Sequence, residues 1–186
     1  MVNPKKQLSN LTIQNARIMF RNFSGLEGQF NRAGDRNFCL VLDEPGLAET
    51  MMADGWNVKF LKPREEGDEP LPYLPVAVSY KYANRAPHVY MISSRGRTAI
   101  PEELVGMLDL AEIATVDVEV NPSVWSVNGN TGVKAYLKKM YMTIVESPLD
   151  LKYADVPDSA QNSLEAAAEP LQITAGGDMY VDFEEN

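Results

Sequence analysis

This 186-residue chain has one cysteine, one histidine, no basic residue after Lys152 and no apolar run of membrane length. With Cys39 alone, no intramolecular disulfide can form and no cysteine-based metal cluster can begin. Its place in the apolar run 38–42 reads as a small core residue. His88 alone excludes a multi-histidine metal site and is the one residue any Ser–His dyad would have to use. Just ahead of a strand, it reads as a surface or satisfied core histidine. The segment SSRGRT (93–98) lacks the Gly-Lys-Ser/Thr of a phosphate loop. Asp117 and Glu119 share a strand face, but no lysine follows at the spacing favoured by metal-dependent nucleases, so the pair reads as a solvated face. No metal, no cofactor and no enzymatic reaction are expected. The N-terminus, MVNPKKQLSN, has no apolar signal region, and with no membrane span the chain reads as a soluble protein of a reducing cytoplasm.

Basic residues are missing only from one end. Residues 1–145 carry 16 Lys+Arg against 16 Asp+Glu, whereas residues 146–186 carry 1 against 10. The formal charge of −9 therefore belongs entirely to the last 41 residues. The organisation expected is one neutral domain, 1–153, and a flexible acidic tail, 154–186. Within that tail, 159–169 reads as a short Ala-rich helical stretch and 170–186 as disordered.

The body reads as mainly β. Residues 11–20 predict a first strand with a bulge near Asn15, because the apolar face shifts from Leu11 and Ile13 to Ala16, Ile18 and Phe20. A Gly-containing loop, 21–35, leads to a second strand, 36–42. Asp43 is expected to cap a helix over 44–54 that Gly55 ends. Two extended segments follow, 56–62 and 73–82, with Trp56, Phe60, Leu74, Val76 and Val78 on their apolar faces. After a turn at 83–87, residues 88–94 form a further strand, and Pro101 opens a helix over 102–110. Strand 113–120 is expected to end at Asn121–Pro122. A hairpin then joins 125–127 to 133–145 through NGNTG. In the last strand Val133, Ala135 and Leu137 fall out of phase with Met140 and Met142, which implies one extra residue at Lys138–Lys139.

What these strands carry besides a core is a mixture of cations and rings. Lys59, Lys62, Arg64, Tyr73, Tyr80, Lys81, Tyr82 and Arg85 cluster on and beside the middle strands. Lys134, Tyr136, Lys138, Lys139 and Tyr141 occupy the polar side of the last one, with Trp125 just before it, and Arg95 and Arg97 flank a glycine between them. Phosphates seek the charge and unstacked bases seek a ring face, so this interleaving suits a single strand of nucleic acid. The fold expected is an OB-like five-stranded barrel with extra strands or hairpins and one or two short helices.

Longer blocks carry a resemblance as well. NFSGLEGQFNRAGDRNFCLVLD, GWNVKFLKPREEGDEPLPYLPV, ISSRGRT and NGNTGVKAYLKKMYMTIVE resemble a family of bacteriophage-encoded single-stranded DNA-binding proteins, over roughly residues 11–157. The resemblance implies an OB-fold that coats single-stranded DNA in phage replication or recombination, working in the bacterial host cytoplasm. It also implies a tail that modulates DNA binding or recruits phage or host replication proteins. Here GDMYVDFEEN supplies Asp178, Tyr180, Asp182, Phe183, Glu184 and Glu185 for that role, though it departs from the bacterial pattern of a terminal Pro-Phe. Self-association would suit a coating protein. The rival readings are a phage structural or assembly β-barrel that meets protein partners, and a nuclease built on Asp117 and Glu119.

Overall fold

The computed structural model describes residues 8–157; the tail expectations, from the helical stretch 159–169 to the terminal acids and rings, lie outside the described residues. Among the described residues the strands are β1 (Leu11–Ile13), β2 (Ile18–Asn22), β3 (Arg36–Val41), β4 (Lys59–Leu61), β5 (Leu71–Val78), β6 (His88–Ser93), β7 (Gly96–Ala99), β8 (Ile113–Val127) and β9 (Asn130–Ile144). Two short helices, α1 (Leu47–Ala53) and α2 (Pro148–Lys152), accompany them.

The main sheet runs β1-β8-β9-β5-β3-β2. β9 lies parallel to both β5 and β6, while β8–β9, β3–β5, β2–β3 and β1–β8 are antiparallel. The expected single first strand is in fact two. Asn15 adopts φ 50°, a left-handed conformation that asparagine tolerates. Asp117 Oδ1 accepts the Asn15 N–H at 2.8 Å. Ala16 N then donates to Val116 O, and Arg17 O accepts from Val41 N. Residues 14–17 thus carry the chain from one end of the sheet path to the other. A shift of apolar phase looks the same in sequence whether the strand bulges or breaks. The two ends meet at this crossing without a closed ladder, giving a partly open OB-like barrel of six strands, with β1 and β2 the two halves of its first, to which β4, β6 and β7 are added.

Alternation decides what faces the core. Phe38 and Leu40 of β3, Leu74, Val76 and Val78 of β5, Val116, Val118 and Val120 of β8, and Met140 and Met142 of β9 are all buried. The bulge expected in β9 is present: Glu119 pairs with Lys139 and Val120 with Leu137, so Lys138 is the extra residue. It lets Val133, Ala135, Leu137, Met140 and Met142 share the inner face despite their phase change.

Several boundaries differ from expectation. β8 passes through Asn121–Pro122 instead of ending there, because β1 pairs only Val118–Val120 and Pro122 lies beyond it, where a missing N–H costs no second ladder. The hairpin turn is Asn128–Gly129 alone, with φ 51° and 80°, the pair of positive φ values a two-residue turn needs. Asp43 does not cap α1; its carboxylate holds Arg17 at 2.6 Å, and Gly46 at φ 78° opens the helix. The expected helix over 102–110 is a 3-10 turn at Val105–Asp109, where Arg21 takes the Leu108 carbonyl. Phe60 is not core: β4 pairs β5 only along one edge, and the ring is 50% exposed. Cys39 also leaves the core, half-buried on the outer side of β3 between inward Phe38 and Leu40, where burial pushes its thiol up. Helix α2 was not expected; Ser147 and Asp150 form a capping box with Pro148 in the first turn.

The loop over residues 21–35 is pinned at its base. Phe23 is fully buried and stacks on Phe38, centroids 5.5 Å apart. The Asp109 carboxylate accepts from Phe23 N, Ser24 N and Ser24 Oγ at 2.6–3.0 Å. Asp109→Ala should therefore cost about 1–3 kcal/mol, since donors ordered against it lose their acceptor. Hydrogen exchange should show the added opening concentrated in residues 21–35.

Candidate nucleic-acid interface

The bulge keeps one set of polar positions on the outer face along the whole of β9. Lys134, Tyr136, Lys139, Tyr141 and Thr143 all point away from the core, over about 30 Å of strand. Their partners on β8 share that face: Trp125 opposite Gly132, Ser123 opposite Lys134, Asn121 opposite Tyr136, Asp117 opposite Tyr141. Trp125 lies flat on Gly132, where an added Cβ would fall 2.7 Å from the ring. Gly132→Ala should thus lift the indole from its seat, which a shift of tryptophan fluorescence would report. Lys134 stands 5.1 Å from the Tyr136 ring centroid, a cation placed beside a stacking surface.

On β5 the outward positions continue the same surface. Ala77 pairs with Tyr136, and Tyr73, further along the same outward series of β5, pairs with Lys59 of β4 on the edge away from β3. Beyond β3 the pinned loop ends in a two-residue turn closed by Gly28 and Asn31, and Phe30 stands 89% exposed at its tip. In an OB-like barrel the faces of the second and third strands and these two flanking loops form the oligonucleotide groove. By position in the sheet, the counterparts of those parts are β3, β5, residues 21–35 and the β8–β9 turn.

A second platform sits further along β9. Tyr90 of β6 pairs with Tyr141 and stacks on it at 5.0 Å, and Arg97 of β7 lies 4.9 Å from the Tyr90 ring. Tyr90 and Phe30 were not among the residues expected from sequence. Tyr90 alternates with inward Val89, which is a legible signal, but its parallel pairing to a strand fifty residues away is not.

The remaining expected residues are dispersed. Lys62 and Arg64 are exposed in the loop after β4, Arg85 ends the 3-10 turn Ala83–Arg85, and Arg95 lies in the β6–β7 turn. Lys81 and Tyr82 form an exposed cation–ring pair at 5.4 Å past the end of β5. Tyr80 is placed differently: it packs against the core under Arg36, and burial pushes its phenol up. Lys138 is tied to Glu119 at 2.9 Å. Asn10 also donates to Glu119, and the Lys138 and Asn10 hydrogen bonds hold the Glu119 carboxyl below its usual range. A depressed carboxyl stabilises the fold above its ordinary pKa and loses that contribution as pH falls through the lowered value. Lys138→Met should accordingly flatten the stability profile below about pH 4.5, measured by thermal unfolding across pH.

Asp117 and Glu119 are thus engaged by Asn15, Asn10 and Lys138. Among the described residues no three His, Cys, Asp or Glu side chains gather as a metal site, and no helix is long and apolar enough to cross a membrane.

A family model described as "Putative phage ssDNA-binding domain" matches residues 2–185. The chain belongs to the phage ssDNA-binding domain family. Single-stranded DNA is its ligand by that membership. No curated protein matches the chain. Among solved structures it is similar to the single-stranded DNA-binding protein from bacteriophage Enc34 in complex with ssDNA, at 11% identity and a TM-score of 0.50, over 75% of this chain and 88% of that one. A second structure of the single-stranded DNA-binding protein from bacteriophage Enc34 matches at 10% identity and a TM-score of 0.48, over 85% of this chain and 89% of that one. At this identity the likeness to the complex concerns the fold alone.

Proposed function

We propose that this protein coats single-stranded DNA with little sequence preference during phage DNA replication or recombination, as a binding protein and not an enzyme, in the host cytoplasm. The observation that carries the reading is the outer face of β9 and its neighbours, where rings alternate with cations along one continuous strand surface. Lys59, Lys134, Lys139 and Arg97 neutralise phosphates, and Tyr73, Trp125, Tyr136, Tyr141 and Tyr90 offer faces to bases. The acidic residues 154–186 act as a separate tail that competes with DNA for this face and recruits replication or recombination partners. The support for that role is the division between a charge-balanced stretch, 1–145, and the −9 of residues 146–186, to which this tail belongs.

A labelled oligonucleotide, single-stranded and duplex in parallel across a salt series, tests the reading. Preferential single-strand binding that falls steeply with salt is expected, because neutralised phosphates release counterions. Lys134→Ala should weaken all sequences alike and reduce the log–log salt slope by about 0.7, the contribution of one phosphate contact on a single strand. Truncation after Tyr153 should raise affinity at low salt. Absence of DNA binding, together with salt-insensitive self-association or capture of a virion protein, would return the structural-protein reading.

A further inference from the structure

Tyr141 has one ring face covered and one open. Tyr90 stacks on it from β6 with planes 16° apart, and Arg97 closes the far side of Tyr90. The sheet continues on the other side to β8, where Asp117 is the cross-strand partner of Tyr141. There the surface sinks into a pocket of about 270 Å³, whose lining includes Asp117, Val118, Glu119, Lys139 and Tyr141. The open ring face is therefore one wall of a cavity.

The polar groups around that cavity have a definite sense. Asp117 uses Oδ1 for the Asn15 N–H, and Glu119 uses Oε1 for Asn10 and Lys138. Their second oxygens have no donor among the described residues, so the wall opposite the ring presents acceptors. Lys139 contributes a cation at the rim, where a phosphate linking this base to the next would run. Cytosine and adenine carry an exocyclic amino donor that a carboxylate accepts, and guanine carries one on another edge. Thymine has two carbonyl oxygens flanking its single ring N–H, and paired carboxylates repel those oxygens.

We propose that this pocket takes one unstacked base of the bound strand against Tyr141, and that Asp117 and Glu119 select amino-bearing bases over thymine there. The inference rests on the single-strand-binding function proposed above and adds one base-reading slot to an otherwise indifferent track.

The test compares oligo-dC with oligo-dT of equal length, both pyrimidines, at one salt concentration with the full chain. Wild type should bind dC about fivefold or more tightly, within what one good side-chain–base pair contributes. Asp117→Asn keeps an oxygen for the Asn15 N–H and adds an amide donor, so dC should weaken, dT should tighten and the ratio should approach one. Tyr141→Leu should weaken both homopolymers, because the platform itself is lost. Circular dichroism confirms that each variant is folded. Asp117→Asn tightening both homopolymers equally, with the ratio fixed, would mean a lost repulsion to phosphate and would overturn the slot. Equal dC and dT affinities in a wild type that still binds single strands would overturn it too. No single-strand binding by wild type at low salt would instead reject the function on which the slot rests.

Discussion

Tyr136→Ala is expected to weaken binding of single-stranded DNA by roughly five- to 150-fold, the effect of removing one base-stacking ring worth about 1–3 kcal/mol. Tyr136 is the central ring of the first platform. It is outward on β9, opposite Asn121 on one side and Ala77 on the other, so small neighbours leave its face open. Lys134 beside it holds charge near the backbone of a strand stacked there. The salt dependence should stay close to that of wild type, since the ring itself neutralises no phosphate. Tyr136→Phe keeps the face and should retain most of the affinity. A fluorescence titration at three salt concentrations separates these outcomes. Unchanged affinity in Tyr136→Ala would move the path of the DNA away from the first platform.

Phe38→Ala is expected to destabilise the fold by about 3–5 kcal/mol, the range for removing a fully buried Phe. For a domain of this size that corresponds to a melting temperature lower by roughly 10 °C. Phe38 sits in β3 with no exposed surface and stacks on Phe23, which the loop over residues 21–35 inserts into the core. The cavity would therefore open beneath the anchor of that loop as well as inside the barrel. Phe30, at the tip of the same loop, would lose its fixed position relative to β3 and β5. The variant should show weaker DNA binding at temperatures where it is still folded, and hydrogen exchange should rise first in residues 21–35. Phe38→Leu, which leaves a smaller void, should cost less on both counts. Thermal denaturation of the three proteins side by side measures the order.

Much of this architecture was legible residue by residue. Alternation in Leu74, Val76 and Val78 identified the inner face of β5, and the phase change between Leu137 and Met140 identified the bulge at Lys138. Both signals work because a pleated strand reverses its side chains at every residue, so one inserted residue leaves a mark. The same rule failed at Phe60 and at the first strand. Phe60 alternates correctly, but its short strand pairs only with β5 and leaves the residue half exposed. At Asn15 the phase change marked a crossing between the two ends of the sheet, and nothing local distinguishes a crossing from a bulge. Tyr80 was grouped with the outward rings by composition, yet it continues the inward series of Leu74, Val76 and Val78. Tyr90 was passed over because its partner, Tyr141, arrives only through the parallel pairing of β6 with β9.

The sequence by itself determined that the body is a charge-balanced β domain, that its last strand bears cations and rings opposite an apolar face, and that family-specific blocks of a phage single-strand binder run along it. These are properties of neighbours along the chain, and period-two patterning and net charge need nothing more. Only the tertiary structure decided which rings share a surface, because that depends on which strands lie side by side. Parallel pairing of β9 with β5 and then β6 placed Ala77 beside Tyr136 on the same sheet face as Tyr73 and Lys59, and Tyr90 and Arg97 beside Tyr141, across separations that no local pattern encodes.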